Sequence, residues 1–157
     1  MIKKNIWNFV FILIIFLIDR FSKISIINSA ETFGELDIFI NSFLNLNLIW
    51  NDGIAFGFFS FEKNIYYNFL TILIALITLI VLWMITKTEK FEKLGFMMIF
   101  GGSLGNIFDR LYYSSVPDFI DFHINDFHWF TFNVADIFIS LGVILLICLE
   151  LFFRKKT

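Results

Sequence analysis

The chain has 157 residues, of which 59% are hydrophobic, 20% aromatic and 17% charged, with a formal net charge of −2. A mean hydropathy of +0.81 places it among membrane proteins and excludes an ordinary soluble domain. The charge balance gives no reason to expect nucleic acid, and a lone cysteine, Cys148, cannot form an internal disulfide and reads as a small packing residue.

Four apolar segments reach the roughly 20 residues that a bilayer demands. They are residues 5–27, 65–86, 94–112 and 132–153, and together they predict one integral-membrane domain over 1–157, with outer segments 28–64 and 113–131. The first carries Asp19, Arg20 and Lys23 with no A-x-A-like site after it, so it is expected to be a retained span rather than a cleaved signal peptide. Asp19 and Lys23 are spaced i, i+4 with the acid first, the favourable order for an ion pair on a helix.

Residues 28–64 hold the first strand signal. Leu44, Leu46, Leu48 and Trp50 recur at a period of two, and Asn51-Asp52-Gly53 follows with turn chemistry. Lys3 and Lys4 precede span one, Lys87, Lys90 and Lys93 separate spans two and three, and Arg154, Lys155 and Lys156 close the chain. The outer segments have only Lys63, so both termini are expected in the cytoplasm.

The third span contains Gly101, Gly102 and Gly105, small enough to admit another helix closely, and then Asn106, Asp109 and Arg110. Asn106 can neighbour both charged residues at i+3 and i+4, whereas Asp109 and Arg110 do not face each other; Arg110 is expected to meet another carboxylate or to snorkel outward. Residues 120–129 read as a hairpin across Asn125-Asp126 that sets His123 opposite His128. Two histidines without a clear third ligand do not make a metal site.

Asn133 and Asp136 share a face at the start of the last span, where both also suit helix capping. Asp118, in Val116-Pro117-Asp118, returns to the same rim. This orientation gathers the intramembrane polar residues at one depth, near the outer surface. Two carboxylates held close share a proton, and such a pair can activate water as aspartic proteases do. Asp121 and Asp126 compete for the second role. A small four-helix proton-coupled transporter is the alternative, since it too uses intramembrane acids, although no repeat or discontinuous helix is visible.

The motifs Asp19-Arg20-Phe21-Ser22-Lys23, Asn51-Asp52-Gly53, Gly101 to Arg110, Val116 to Asp121 and Phe132-Asn133-Val134-Ala135-Asp136 occur in order and cover nearly the whole chain. Together they closely resemble the lipoprotein signal peptidase (signal peptidase II) family. The resemblance implies a mainly α membrane protein with four transmembrane helices, a small extracytoplasmic β-cradle between helices 1 and 2, and a second outer loop between helices 3 and 4. It implies an aspartic endopeptidase of the bacterial inner membrane that cuts prolipoproteins before a diacylglyceryl-modified cysteine, with Asp118 and Asp136 catalytic. Asp19, Lys23, Asn51, Gly53, Asn106, Asp109, Arg110, Asn133 and Ala135 would bind substrate or support the site. No cofactor or metal is expected, and the partners would be lipidated prolipoprotein and membrane lipid, acting on a monomer. Pro117 stands where the family more often has a second Val, and Arg20 where Gln is common.

Overall fold

The computed structural model describes residues 2–34, 37–53, 63–125 and 127–153; Asp126, Glu35, Glu62 and the basic residues at 154–156 lie outside them. The described residues form four α-helices: α1 Ile2–Phe33, α2 Lys63–Lys87, α3 Lys90–Tyr113 and α4 Val134–Cys148, which ends in one π turn, Leu149–Phe153. Four strands lie between them: β1 Asp37–Asn41, β2 Leu44–Asn51, β3 Val116–Ile124 and β4 Phe127–Phe132.

Stretches 65–87 and 134–152 are long and apolar enough to cross a bilayer. α1 and α3 are as long, but charged residues interrupt both. In α2, the hydroxyls of Thr71 and Thr78 donate to carbonyls one turn back, at 2.9 and 2.8 Å, so neither leaves a polar group unsatisfied in an apolar helix. α1 runs on to Phe33, past the expected end of span one, and Ser29 and Thr32 bond carbonyls four residues back. Helix α3 stops at Ser114, whose φ of 57° lies in the left-handed region.

Burial is inverted relative to a soluble protein. Trp7, Phe69, Leu79, Leu111 and Leu151 are exposed, whereas Asp19, Lys23, Asp109 and Asn133 have 0% exposure. A bundle whose solvent is hydrocarbon has this distribution, because apolar side chains gain nothing by hiding from lipid and charges lose much by facing it.

α3 is the central helix, and its glycines set how closely its neighbours approach. A Cβ on Gly101 would meet Ile15 of α1 at 2.9 Å, and one on Gly102 would lie 2.5 Å from the Ala135 carbonyl oxygen of α4. Gly95 and Gly142 face each other in the same way: a Cβ on Gly95 would lie 3.1 Å from the Gly142 carbonyl oxygen, and one on Gly142 would lie 2.6 Å from that of Gly95.

The strands form one antiparallel sheet in the order β1-β2-β3-β4. The segment expected as a separate outer loop between helices 3 and 4 is therefore half of the cradle, not a second feature. Its strand begins at Val116, earlier than the alternation at Ile120 suggested, and β2 pairs with it from Leu44↔Phe122 to Asn51↔Val116. Phe119 packs on Ile26 of α1, with Leu46, Leu48 and Val134 around them, and so seats the sheet on the bundle.

Candidate active site

Asp118 comes from β3 and Asp136 from the first turn of α4, and Asn133 ties them together. Its side-chain nitrogen donates to Asp118 Oδ1 at 2.6 Å, while its side-chain oxygen accepts from the Asp136 backbone at 3.2 Å. Asp136 Oδ2 in turn accepts from the Asn133 backbone at 3.1 Å, completing a capping box. The capping role and the role beside Asp118 are thus both real, and one residue fills them.

Each carboxylate has a second amide donor. Asn51 Nδ2 donates to Asp118 Oδ2 at 2.8 Å, and Asn106 Nδ2 donates to Asp136 Oδ1 at 2.8 Å. Asn51 is also fixed from behind: its side-chain oxygen accepts from Gly53 N at 2.7 Å, and Gly53 has φ of 77°, a left-handed conformation that glycine adopts freely. Burial drives the Asp118 carboxyl above the usual carboxylate range; the Asn51 and Asn133 amides oppose this, and the Asp136 charge adds to it.

Beneath the pair lies a buried ion cluster. Lys23 Nζ donates to Asp19 Oδ2 at 2.9 Å, to Asp109 Oδ2 at 2.6 Å and to Asn106 Oδ1 at 2.9 Å. The expected i, i+4 pair of Asp19 and Lys23 is present, and it is one arm of a larger network. Arg20 also bonds Asp109, with its guanidinium 4.7 Å from the Phe108 ring centre. Asp19 Oδ1 accepts from the Ala135 backbone at 2.9 Å, which ties α1 to the start of α4. Ala135 is fully buried, and its small side chain lies 3.6 Å from where a Cβ on Gly105 would stand.

One expected site residue, Arg110, and one rival for the second carboxylate, Asp121, stand apart. Arg110 turns toward α2, its guanidinium 5.4 Å from the Tyr67 ring centre, and a Cβ on Gly53 would come within 2.9 Å of Arg110 NH1. It therefore braces the Asn51-Gly53 turn rather than contacting the carboxylates. Asp121 does not compete for the second role, because strand alternation points it away from Asp118 and its Oδ2 lies 2.6 Å from His128 Nδ1. Asp126 is outside the described residues. Arg20 is a further member of the cluster that sequence reasoning does not mark as a site residue; its length, which lets it reach Asp109 on α3, is the available signal.

A mainly helical bundle with a small sheet over buried acids is the architecture of a membrane enzyme. Two solved structures of a bacterial membrane enzyme, determined by the in meso method, share this fold. They superpose with TM-scores of 0.70 and 0.66 at 25% identity, over 94% and 96% of this chain and 94% and 93% of theirs. The sequence matches the family described as signal peptidase (SPase) II over residues 11–153. Among its relatives are the lipoprotein signal peptidases of Pelagibacter ubique (strain HTCC1062) and Francisella tularensis subsp. novicida (strain U112). The first is 51% identical over 98% of this chain and 93% of that protein, the second 37% identical over 100% and 99%. The chain belongs to the signal peptidase II family and is accordingly a peptidase, and the transporter reading falls.

Proposed function

We propose that the protein is an intramembrane aspartic endopeptidase that removes the signal peptide from diacylglyceryl-modified prolipoproteins, cutting before the lipidated cysteine. The observation that carries this is the sharing of Asn133 between Asp118 and Asp136, each carboxylate held by a second amide from a different element. Asp118 holds the shared proton, in keeping with its burial. Asp136, in the first turn of α4, is the partner that accepts a proton from water.

The ionised carboxylate takes a proton from water, and the resulting hydroxide bonds to the scissile carbonyl carbon. The protonated partner donates to the carbonyl oxygen, giving a tetrahedral diol. Collapse breaks the carbon–nitrogen bond, and the amine of the lipidated cysteine leaves with a proton from the pair. The chain spans the bacterial inner membrane four times as a monomer, with both termini in the cytoplasm. That reading rests on Lys87, Lys90 and Lys93 at the end of the bundle remote from the sheet. The dyad then lies at the outer rim, where water and lipid meet. The signal helix enters sideways, and an apolar groove of about 340 Å³ between α1 and α3, lined by Phe9, Ile12, Phe16, Leu104 and Phe108, suits hydrocarbon.

The test is turnover of a diacylglyceryl-modified prolipoprotein by the purified protein beside Asp118→Asn and Asp136→Asn. Each variant is expected to lose at least about 10³-fold in rate while keeping its fold. Wild-type turnover by both would end the dyad assignment, and equal cleavage of unlipidated substrate would end the lipid requirement.

A further inference from the structure

The β3–β4 hairpin carries a second cluster that hydrolysis does not use. Residues alternate along a strand, so Asp121 and His123 share the face of β3 opposite Asp118. His128 is the register partner of His123 across the hairpin, and Asn45 of β2 is the partner of Asp121. The His123 and His128 rings stack with centres 5.3 Å apart and planes 29° apart. Asp121 Oδ2 lies 2.6 Å from His128 Nδ1 and 3.9 Å from His123 Nδ1. One ligand atom from each of the three falls within 4.8 Å of the others.

A second observation points to a ligand here. Asp121 and His123 are buried, yet Asp121 Oδ1 and His123 Nδ1 have no hydrogen-bond partner among the described residues. The side-chain oxygen of Asn45, opposite Asp121, is in the same condition. Buried polar atoms are nearly always satisfied, so three such atoms on one patch of sheet are conspicuous. His128 is exposed, which gives an ion a route from solvent.

We propose that Asp121, His123 and His128 bind one divalent transition-metal ion of the zinc class, with water completing the shell. Two imidazoles and a carboxylate suit zinc and its neighbours, whereas calcium and magnesium prefer all-oxygen sites. Zinc bonds of about 2.1 Å in a tetrahedron hold ligand atoms about 3.4 Å apart, so the 2.6 Å separation opens and the 3.9 Å one closes by under about 1 Å each, and the third, within 4.8 Å, closes by at most about 1.4 Å. The ion ties β4 to β3 at the hairpin tip, where the His123 backbone already donates to Phe43 of the β1–β2 turn at 3.0 Å. It stiffens the strand that carries Asp118 and takes no part in peptide hydrolysis.

The test uses full-length protein in detergent, purified without a polyhistidine tag and stripped of metal, then titrated with Zn²⁺ by calorimetry and Co²⁺ by visible absorption. One ion per chain is expected, with cobalt ligand-field bands, and the unfolding temperature should rise with Zn²⁺. His128→Ala changes an exposed side chain and should weaken binding at least about tenfold with the unliganded fold unchanged. Asp121→Asn should do the same. Absence of saturable binding at millimolar metal, or binding by His128→Ala equal to wild type, overturns the site.

Discussion

Lys23 Nζ lies 2.9 Å from the Asn106 amide oxygen, and the nitrogen of that same amide donates to Asp136. A lysine ammonium can only donate, so it dictates which end of the Asn106 amide is oxygen and turns the NH₂ toward the carboxylate. The buried ion cluster therefore orients the amide that holds Asp136. It also holds α1, α3 and α4 together through Asp109 and through the bond from Ala135 to Asp19.

Lys23→Met should separate these roles from simple packing. It strips Asp19 and Asp109 of a shared cation in a fully buried setting, and the expected cost is about 3–5 kcal/mol, read as a lower melting temperature in detergent. Asn106→Leu spares the cluster's charges. Losing a hydrogen bond to a charged group, worth about 1.5–3 kcal/mol, should lower kcat roughly 10- to 100-fold with a smaller loss of stability.

Asn51→Leu should move the pH profile. Asn51 donates to Asp118 and stabilises its anion, opposing the upward push of burial. Without that bond the proton is held to higher pH, so the alkaline limb of kcat/KM should shift upward. An unchanged limb would show that Asp118 does not hold the essential proton. The linkage to stability has a definite sign. Because the folded carboxyl binds its proton more tightly than the unfolded one, the Asp118 contribution falls as pH rises from the ordinary carboxylate range to its folded value. Asp118→Asn should flatten unfolding free energy across that window.

Gly102→Ala and Gly101→Ala should differ although they are neighbours. The added methyl at 102 would lie 2.5 Å from a backbone carbonyl oxygen of α4, which cannot swing aside, whereas at 101 it would meet the Ile15 side chain at 2.9 Å and its nearest carbonyl oxygen, that of Ile12, only at 3.3 Å. Overpacking costs about 1–3 kcal/mol, and Gly102→Ala should lie at the upper end with Gly101→Ala below it in melting experiments. Because the clash at 102 pushes on Ala135, beside Asp136, the larger penalty should come with lost turnover.

Asn133→Ala removes an N-cap worth about 1 kcal/mol and, at the same time, the donor to Asp118. The melting temperature should fall modestly while turnover falls far more. Loss of both in proportion would mean that Asn133 only caps.

Much of this architecture is legible in the sequence. The four helices follow from apolar runs, β2 from the alternation of Leu44, Leu46 and Leu48, and the hairpin from Asn125, whose φ of 52° is the turn conformation expected there. The Asp19–Lys23 pair and the Asn133–Asp136 face follow from helical spacing. What no spacing rule supplies is register between distant segments. The β2–β3 pairing brings Asn51 onto a carboxylate 67 residues away, and nothing local to either strand announces it. β1 has no apolar alternation to mark it and is exposed along its length, so it forms only as an edge on β2. Arg110 was grouped with its neighbours by sequence, but adjacent helical positions diverge by about 100°, which sends it toward Tyr67. Asp121 lies beside the two histidines only because β3 and β4 pair, and no local spacing marks that neighbourhood.

The amides that cradle Asp118 come from 67 residues earlier in the chain and from 15 residues later. A ribosome therefore releases the last component of the centre only when the final helix begins to emerge. A product truncated before the final helix lacks Asn133 and Asp136 altogether, and on the proposed assignment it should have no hydrolytic activity.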